Sequence, residues 1–361
     1  MLQRCAHILH IGLLAAMLSC GSGSSVEGDA DAEAPDGDDA ADSDFIEAGD
    51  VPGADGDAVE DEGEDDVPPD PAADPDALDT VDDPLPEDGE DTPMDSDAPD
   101  APATFLVLTV NLKHPLLGLE DARARLQIVA DAINARQPDM VALQEVIRPD
   151  GEASFAEQLG GLTGYEWFWE FTYRVPMSYD EGIGVLSRWP IVWHESRELP
   201  HIDLVLFRRR VLGARLATPH GDVQMFCSHM TTDSDPTVEA DQALAVFRFI
   251  TDNPSPLPGF FAGDLNAEPD TLAMRFFRGE AGHEDVTGNL ADSWMTVNPD
   301  DPGYTMSSSD PARRIDYIYM IPGTEQTAEV VSCELMFTEP VGGRYASDHL
   351  GVLCLFSLPD A

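Results

Sequence analysis

Phe105-Leu106-Val107-Leu108-Thr109-Val110-Asn111 and, further on, Met140-Val141-Ala142-Leu143-Gln144-Glu145 are the two stretches whose reading decides how this chain folds. Each is a short apolar run ending on polar residues, the pattern of a buried strand. Between them, Leu119 to Arg136 places Leu126, Val129, Ala130 and Ile133 at helical spacing, which predicts an amphipathic helix that Pro138 terminates. A strand, a helix and a second strand thus carry Asn111 and Glu145 to the carboxyl ends of two strands.

The same grammar continues outward. Strands are predicted at Gly182–Leu186, Ile191–Glu198, Arg208–Leu216, Val223–Ser228, Phe260–Gly263, Ile315–Met320, Val330–Phe337 and Val352–Phe356. A second helix fits Thr237 to Ile250, with Asp235 as N-cap and Pro236 in the first helical position. Tyr165-Glu166-Trp167-Phe168-Trp169 reads as a core strand, because Trp and Phe usually bury; its alternative is an exposed aromatic hairpin for membrane contact. Many strands and few helices argue for an α+β fold of two packed sheets flanked by helices, not one doubly wound sheet.

Composition divides the 361 residues. Residues 1–100 hold 32 Asp and Glu against one Arg; residues 101–361 hold 38 against 18 Lys and Arg, leaving net charges of −31 and −20. Residues 21–102 therefore read as a disordered acidic linker that cannot bury enough surface to order itself. Residues 1–20 combine Arg4, an apolar run from Ile8 to Leu18 and Leu18-Ser19-Cys20 before Gly21, and resemble a bacterial lipoprotein signal peptide with Cys20 as the lipidated residue. The run is too short to span a bilayer. The expectation is a secreted protein, held at the cell envelope or cell surface by an N-terminal lipid, monomeric, with no protein partner implied. Cys227, Cys333 and Cys354 lack metal-ligand spacing; Cys333 and Cys354 either bridge neighbouring strands or stay as buried thiols.

At or beside strand ends lie Asn111, Glu145, His229, Asp264, Asn266, Asp316, Asp348 and His349. Hard oxygen donors dominate, which suits Mg²⁺, with Mn²⁺ or Ca²⁺ as alternatives, better than structural zinc. Leu108-Thr109-Val110-Asn111, Pro138 to Val146, Gly182 to Arg188, Cys227-Ser228-His229, Gly263-Asp264-Leu265-Asn266, Arg314-Ile315-Asp316-Tyr317 and Ser347-Asp348-His349 together resemble the endonuclease/exonuclease/phosphatase superfamily. The resemblance implies a four-layer α/β/β/α sandwich over residues 103–361 and a metal-dependent phosphoric ester hydrolase. Residue by residue, it implies that Glu145 holds the metal, with Asn111 beside it and Asp348 reaching a metal as well. It further implies that Asp264 and Asn266 position the attacking water and a phosphate oxygen, that Asp316 orients His349 as a base, and that His229 either donates to a non-bridging phosphate oxygen or protonates the leaving oxygen. Arg210 is the candidate for phosphate contact, in a register that Arg208 and Arg209 leave ambiguous.

The implied reaction is hydrolysis of a phosphoester, foremost a phosphodiester, by in-line attack of water. The substrate alternatives are nucleic acid, a phospholipid headgroup as in a sphingomyelinase or phospholipase C, and a small phosphodiester. A net −20 disfavours a general nuclease, since duplex binding draws most of its affinity from basic groups on phosphates. A non-catalytic surface binding module on the same fold is the competing reading from another class.

Overall fold

The computed structural model describes residues 103–115, 118–175, 178–200, 208–233 and 235–359; the leader, Cys20 and the acidic linker lie outside the described residues. From β1 (Thr104–Asn111) the chain forms α1 (Leu119–Arg136), β2 (Met140–Pro149), α2 (Phe155–Thr163), β3 (Glu166–Val175), β4 (Tyr179–Ser187) and β5 (Ile191–Glu198). It continues through β6 (Arg210–Thr218), β7 (Gly221–His229), α3 (Pro236–Thr251), β8 (Gly259–Asp264) and α4 (Leu272–Phe277). A two-stranded pair, β9 (Gly282–His283) and β10 (Val286–Thr287), precedes β11 (Ala291–Asp292), α5 (Ser293–Val297), β12 (Asp316–Ile321), β13 (Glu329–Met336) and β14 (Gly351–Ser357).

Two six-stranded sheets result, ordered β13-β14-β1-β2-β4-β3 and β11-β12-β8-β7-β6-β5. Alternation along β1 explains the layering, because successive side chains leave a strand on opposite faces. Phe105 and Val107 point between the sheets, where they join Ala142, Leu212, Met225 and Ala262; Leu108 and Val110 point outward to Leu126, Val129 and Ile133 of α1. The outer face of the second sheet is covered in the same way, with Phe247 and Ile250 of α3 and Phe277 of α4 packed over Phe261 and Tyr319. The order is helix, sheet, sheet, helix, as the sequence predicts.

The α3 start is built as expected: the Asp235 carboxylate accepts from Thr237 N at 2.8 Å and Pro236 opens the first turn. Two expectations are corrected. The strand predicted from Arg208 begins at Arg210, which leaves Arg208 and Arg209 in the preceding loop. The aromatic cluster belongs to β3, which is an edge strand and not a core strand. Its inner face is packed, with Phe168 stacked on His194 at 3.6 Å, while Trp167 and Phe171 on the other face are 40% and 43% exposed.

Cys333 and Cys354 face each other across β13 and β14 and form a disulfide; Cys227 is a buried free thiol. On α3, burial, together with Asp233, raises the Glu239 carboxyl to about 7. A folded-state pKa above the unfolded one means that stability is greatest below the unfolded value and declines as pH rises towards 7. Glu239→Gln is therefore expected to leave stability at pH 4 unchanged and to raise it at pH 8 by about 1–2 kcal/mol, the helix N-terminus offsetting part of the burial penalty. Urea unfolding of both proteins at the two pH values measures this.

Candidate active site

Topology alone gathers the polar strand ends. β1 and β2 are parallel, as are β7 and β8, so Asn111, His229 and Asp264 emerge at carboxyl ends, while Glu145, expected at a strand end, lies mid-strand in β2 just past the end of β1, because β2 runs on beside β4 to Pro149. Register then aligns His229 with Asp264 across β7 and β8, and Asp264 with Asp316 across β8 and the antiparallel β12. Gly263 is required beside Asp264, since a Cβ there would lie 1.9 Å from the Ser228 carbonyl oxygen. A bulge between Leu143 and Val146 turns Glu145 out of the ladder at φ 52°. Lys113 and Asn266 share that left-handed conformation, at φ 57° and 54°. Such strain in non-glycine residues persists where surrounding contacts enforce it, commonly at working sites.

One amide joins the two sheets. Asn111 Nδ2 donates to Glu145 Oε1 at 3.1 Å and to Asp264 Oδ2 at 2.9 Å. Around the same Asp264 oxygen lie His229 Nε2 at 3.4 Å and His349 Nε2 at 3.8 Å. The other nitrogen of His349, Nδ1, sits 2.9 Å from Asp316 Oδ2, so the pairing of Asp316 with His349 has the geometry the resemblance implies. Asn266 donates its backbone N–H to Asp264 Oδ1 at 3.0 Å and its side-chain amide to the Met230 carbonyl.

Charge is unevenly distributed here. Burial raises the Asp264 carboxyl to about 7, with Asp316 and Glu145 adding to the rise and His349 and Asn111 opposing it. Burial works against a charged His349, but Asp316 and Asp264 outweigh it and hold the imidazole proton up to about 10. His229 moves the other way, well below its ordinary value, through burial and the nearby Arg209 charge. Glu145 is pulled well below the carboxylate range despite its burial, mainly by His114.

An excess of buried carboxylate is what a divalent cation offsets. Asp264, Asp316 and His349 each place a ligand atom within 4.8 Å of the other two, and Glu145 is tied to this group through Asn111. The donor set fits a hard divalent ion. Asp348 stands apart: its carboxylate reaches Lys113 Nζ at 3.1 Å.

Arg210 does not join the cluster. Its guanidinium meets Glu170 at 3.1 Å and the Ser196 hydroxyl at 2.7 Å. Arg209, one residue outside β6, is the arginine whose charge is felt at His229 and Glu181. Three further residues escape motif reading. His114 directs both its backbone N–H, at 2.7 Å, and Nδ1, at 2.5 Å, to Glu145 Oε2. Glu181 lies behind it, 3.7 Å from the same imidazole and only 3% exposed, and burial raises its carboxyl to about 7. Lys113 completes the group. Glu181 directly precedes the Gly182–Leu186 run, which β4 extends back to Tyr179.

Residues 108–349 match the model of the Endonuclease/Exonuclease/phosphatase family. No curated protein matches the chain. Among solved structures, an endonuclease/exonuclease/phosphatase from Beutenbergia cavernae is 23% identical, with 72% of each chain covered and a TM-score of 0.56. The human Nocturnin catalytic domain with bound sulfate is 21% identical, covering 71% of this chain and 95% of that one at a TM-score of 0.56. D. rerio TDP2 complexed with a single-strand DNA product is 20% identical, covering 71% and 99% at 0.55. With its four layers, its carboxylate–imidazole cluster at the strand ends and a family match over most of its length, the chain belongs to the Endonuclease/Exonuclease/phosphatase family.

Proposed function

We propose that this chain is a metal-dependent phosphodiesterase acting outside the cytoplasm on small or headgroup phosphodiesters. The observation that carries the reading is Asn111 bridging Glu145 and Asp264, with two imidazoles converging on the same Asp264 oxygen. A divalent ion held by Glu145 and Asn111 would neutralise a phosphate oxygen and make the phosphorus more electrophilic.

The chain's own residues divide the remaining work. Asp264 takes the proton of the attacking water, which Asn266 helps to position from its left-handed turn. His349, charged between Asp316 and Asp264, faces the developing negative charge as a donor; this exchanges the role of base, first assigned to His349, for that of charge partner. His229, kept neutral by burial, donates to a non-bridging oxygen. Donors already aimed at developing charge in a dry site stabilise a transition state without reorganising.

The disulfide between Cys333 and Cys354 supports an oxidising compartment, in line with the leader. The sulfate bound by the human Nocturnin catalytic domain and the single-strand DNA product complexed with D. rerio TDP2 support a site for phosphate-like anions. The net −20 of residues 101–361 favours small diesters over duplex DNA. A panel of a bis-aryl phosphodiester, sphingomyelin vesicles, an inositol phosphate and plasmid DNA, with Mg²⁺, Mn²⁺ or chelator, tests the assignment. Metal-dependent diester turnover exceeding plasmid cleavage is expected; plasmid cleaved fastest would reassign the enzyme as a nuclease.

A further inference from the structure

The segment leaving β1 is held more firmly than a surface loop needs to be. Lys113 adopts φ 57°, a conformation that a lysine has no intrinsic reason to prefer. Its N–H donates to Asn111 Oδ1 at 2.8 Å, and its carbonyl accepts from Arg125 Nη2 at 2.9 Å. Arg125 is 4% exposed, bonds the Leu112 carbonyl as well, and is itself anchored on Asp121 at 3.0 Å. A buried guanidinium on α1 is thus dedicated to two carbonyls of this one loop.

The result of that clamping is positional. Asn111 delivers its amide between Glu145 and Asp264, His114 seats its ring on Glu145, and Lys113, between them, sets its ammonium 3.1 Å from Asp348 Oδ2. Asp348 directly precedes His349 in the chain, and both members of the ion pair are partly open to solvent, at 28% and 34%. An exposed lysine–carboxylate pair ordinarily holds loosely and matters little. Here the backbone on the lysine side is over-determined, and the carboxylate adjoins the imidazole that faces the reacting phosphate.

Resting on the metal-dependent reading, we infer that Lys113 is a built-in second cation: its ammonium neutralises Asp348 and contacts the phosphate, so the centre takes one divalent ion, on the Glu145 side. A second divalent ion at Asp348 would stand against a fixed positive charge at contact distance. The ammonium also cannot leave with product or be removed by a chelator, which an ion can.

Calorimetric titration of the full chain with Mn²⁺, and then with inorganic phosphate in the presence of Mn²⁺, tests this in wild type, Lys113→Met, Lys113→Arg and Glu145→Gln. The expectation is one Mn²⁺ per wild-type chain, lost in Glu145→Gln. Lys113→Met is expected to gain a second, weaker Mn²⁺ and to bind phosphate about tenfold or more weakly, as loss of a charge-assisted contact implies, while Lys113→Arg keeps wild-type values. Two ions in wild type, or a Lys113→Met protein with unchanged stoichiometry, would overturn the inference while leaving the metal-dependent reading intact. No Mn²⁺ bound by folded wild type would remove both.

Discussion

Asp264→Asn is expected to lower kcat on a bis-aryl phosphodiester by about 10³, some 4 kcal/mol of transition-state stabilisation, with little change in thermal midpoint. The expected fall follows from the proposed role of this carboxylate, at the convergence of His229, His349 and Asn111, as acceptor of the water proton. The fold tolerates the change because Asn keeps an oxygen for the Asn266 N–H, and the lost Asn111 contact is offset by relief of repulsion from Asp316 and Glu145. Steady-state kinetics and thermal melts on the same preparation separate the two effects. A variant retaining more than about a tenth of the rate would assign the proton to another group.

The largest stability loss is expected at Asp292. Its carboxylate pairs with Arg314, with side-chain exposures of 2% and 3%, and also caps α5 by accepting from Met295 N at 3.1 Å. Arg314 lies over the Tyr317 ring at 4.6 Å and directly precedes the Ile315-Asp316 strand start, so the pair fixes the approach of Asp316 to His349. Removing one partner of a buried pair leaves an uncompensated charge, and Asp292→Ala should cost about 3–5 kcal/mol. For a domain of this size that is a fall of roughly 10 °C in Tm. Asp292→Asn, which keeps the cap and a hydrogen-bond acceptor, should cost less; equal losses would mean that the charge accounts for the whole effect and the cap for none of it.

Much of this architecture is legible in the sequence because it rests on continuous apolar runs. β1, β7 and β8 close on the site residues Asn111, His229 and Asp264, where their apolar runs stop, whereas β2 runs on past Glu145 to Pro149. Legibility fails where one backbone register decides the outcome. Arg209 and Arg210 are chemically identical in sequence, and only the start of β6 at Arg210 separates the guanidinium that meets Glu170 from the one left in the preceding loop. β3 differs from the expected core strand for a related reason: its aromatics suit a core, yet its edge position leaves Trp167 and Phe171 well exposed. Lys113 and His114 are unreadable by motif, since their roles follow from a left-handed turn and from the Arg125 clamp, neither of which has a local sequence period.

Phosphodiester hydrolysis at this site is proposed to run through a divalent ion held on Glu145. It is tested most directly by turnover of a bis-aryl phosphodiester with Mg²⁺ or Mn²⁺ against chelator, for wild type and Glu145→Gln of matched Tm. Turnover that chelator abolishes and readded metal restores, and that falls at least about 10³-fold in the variant, is expected. Turnover indifferent to chelator, or a variant as fast as wild type, would contradict it.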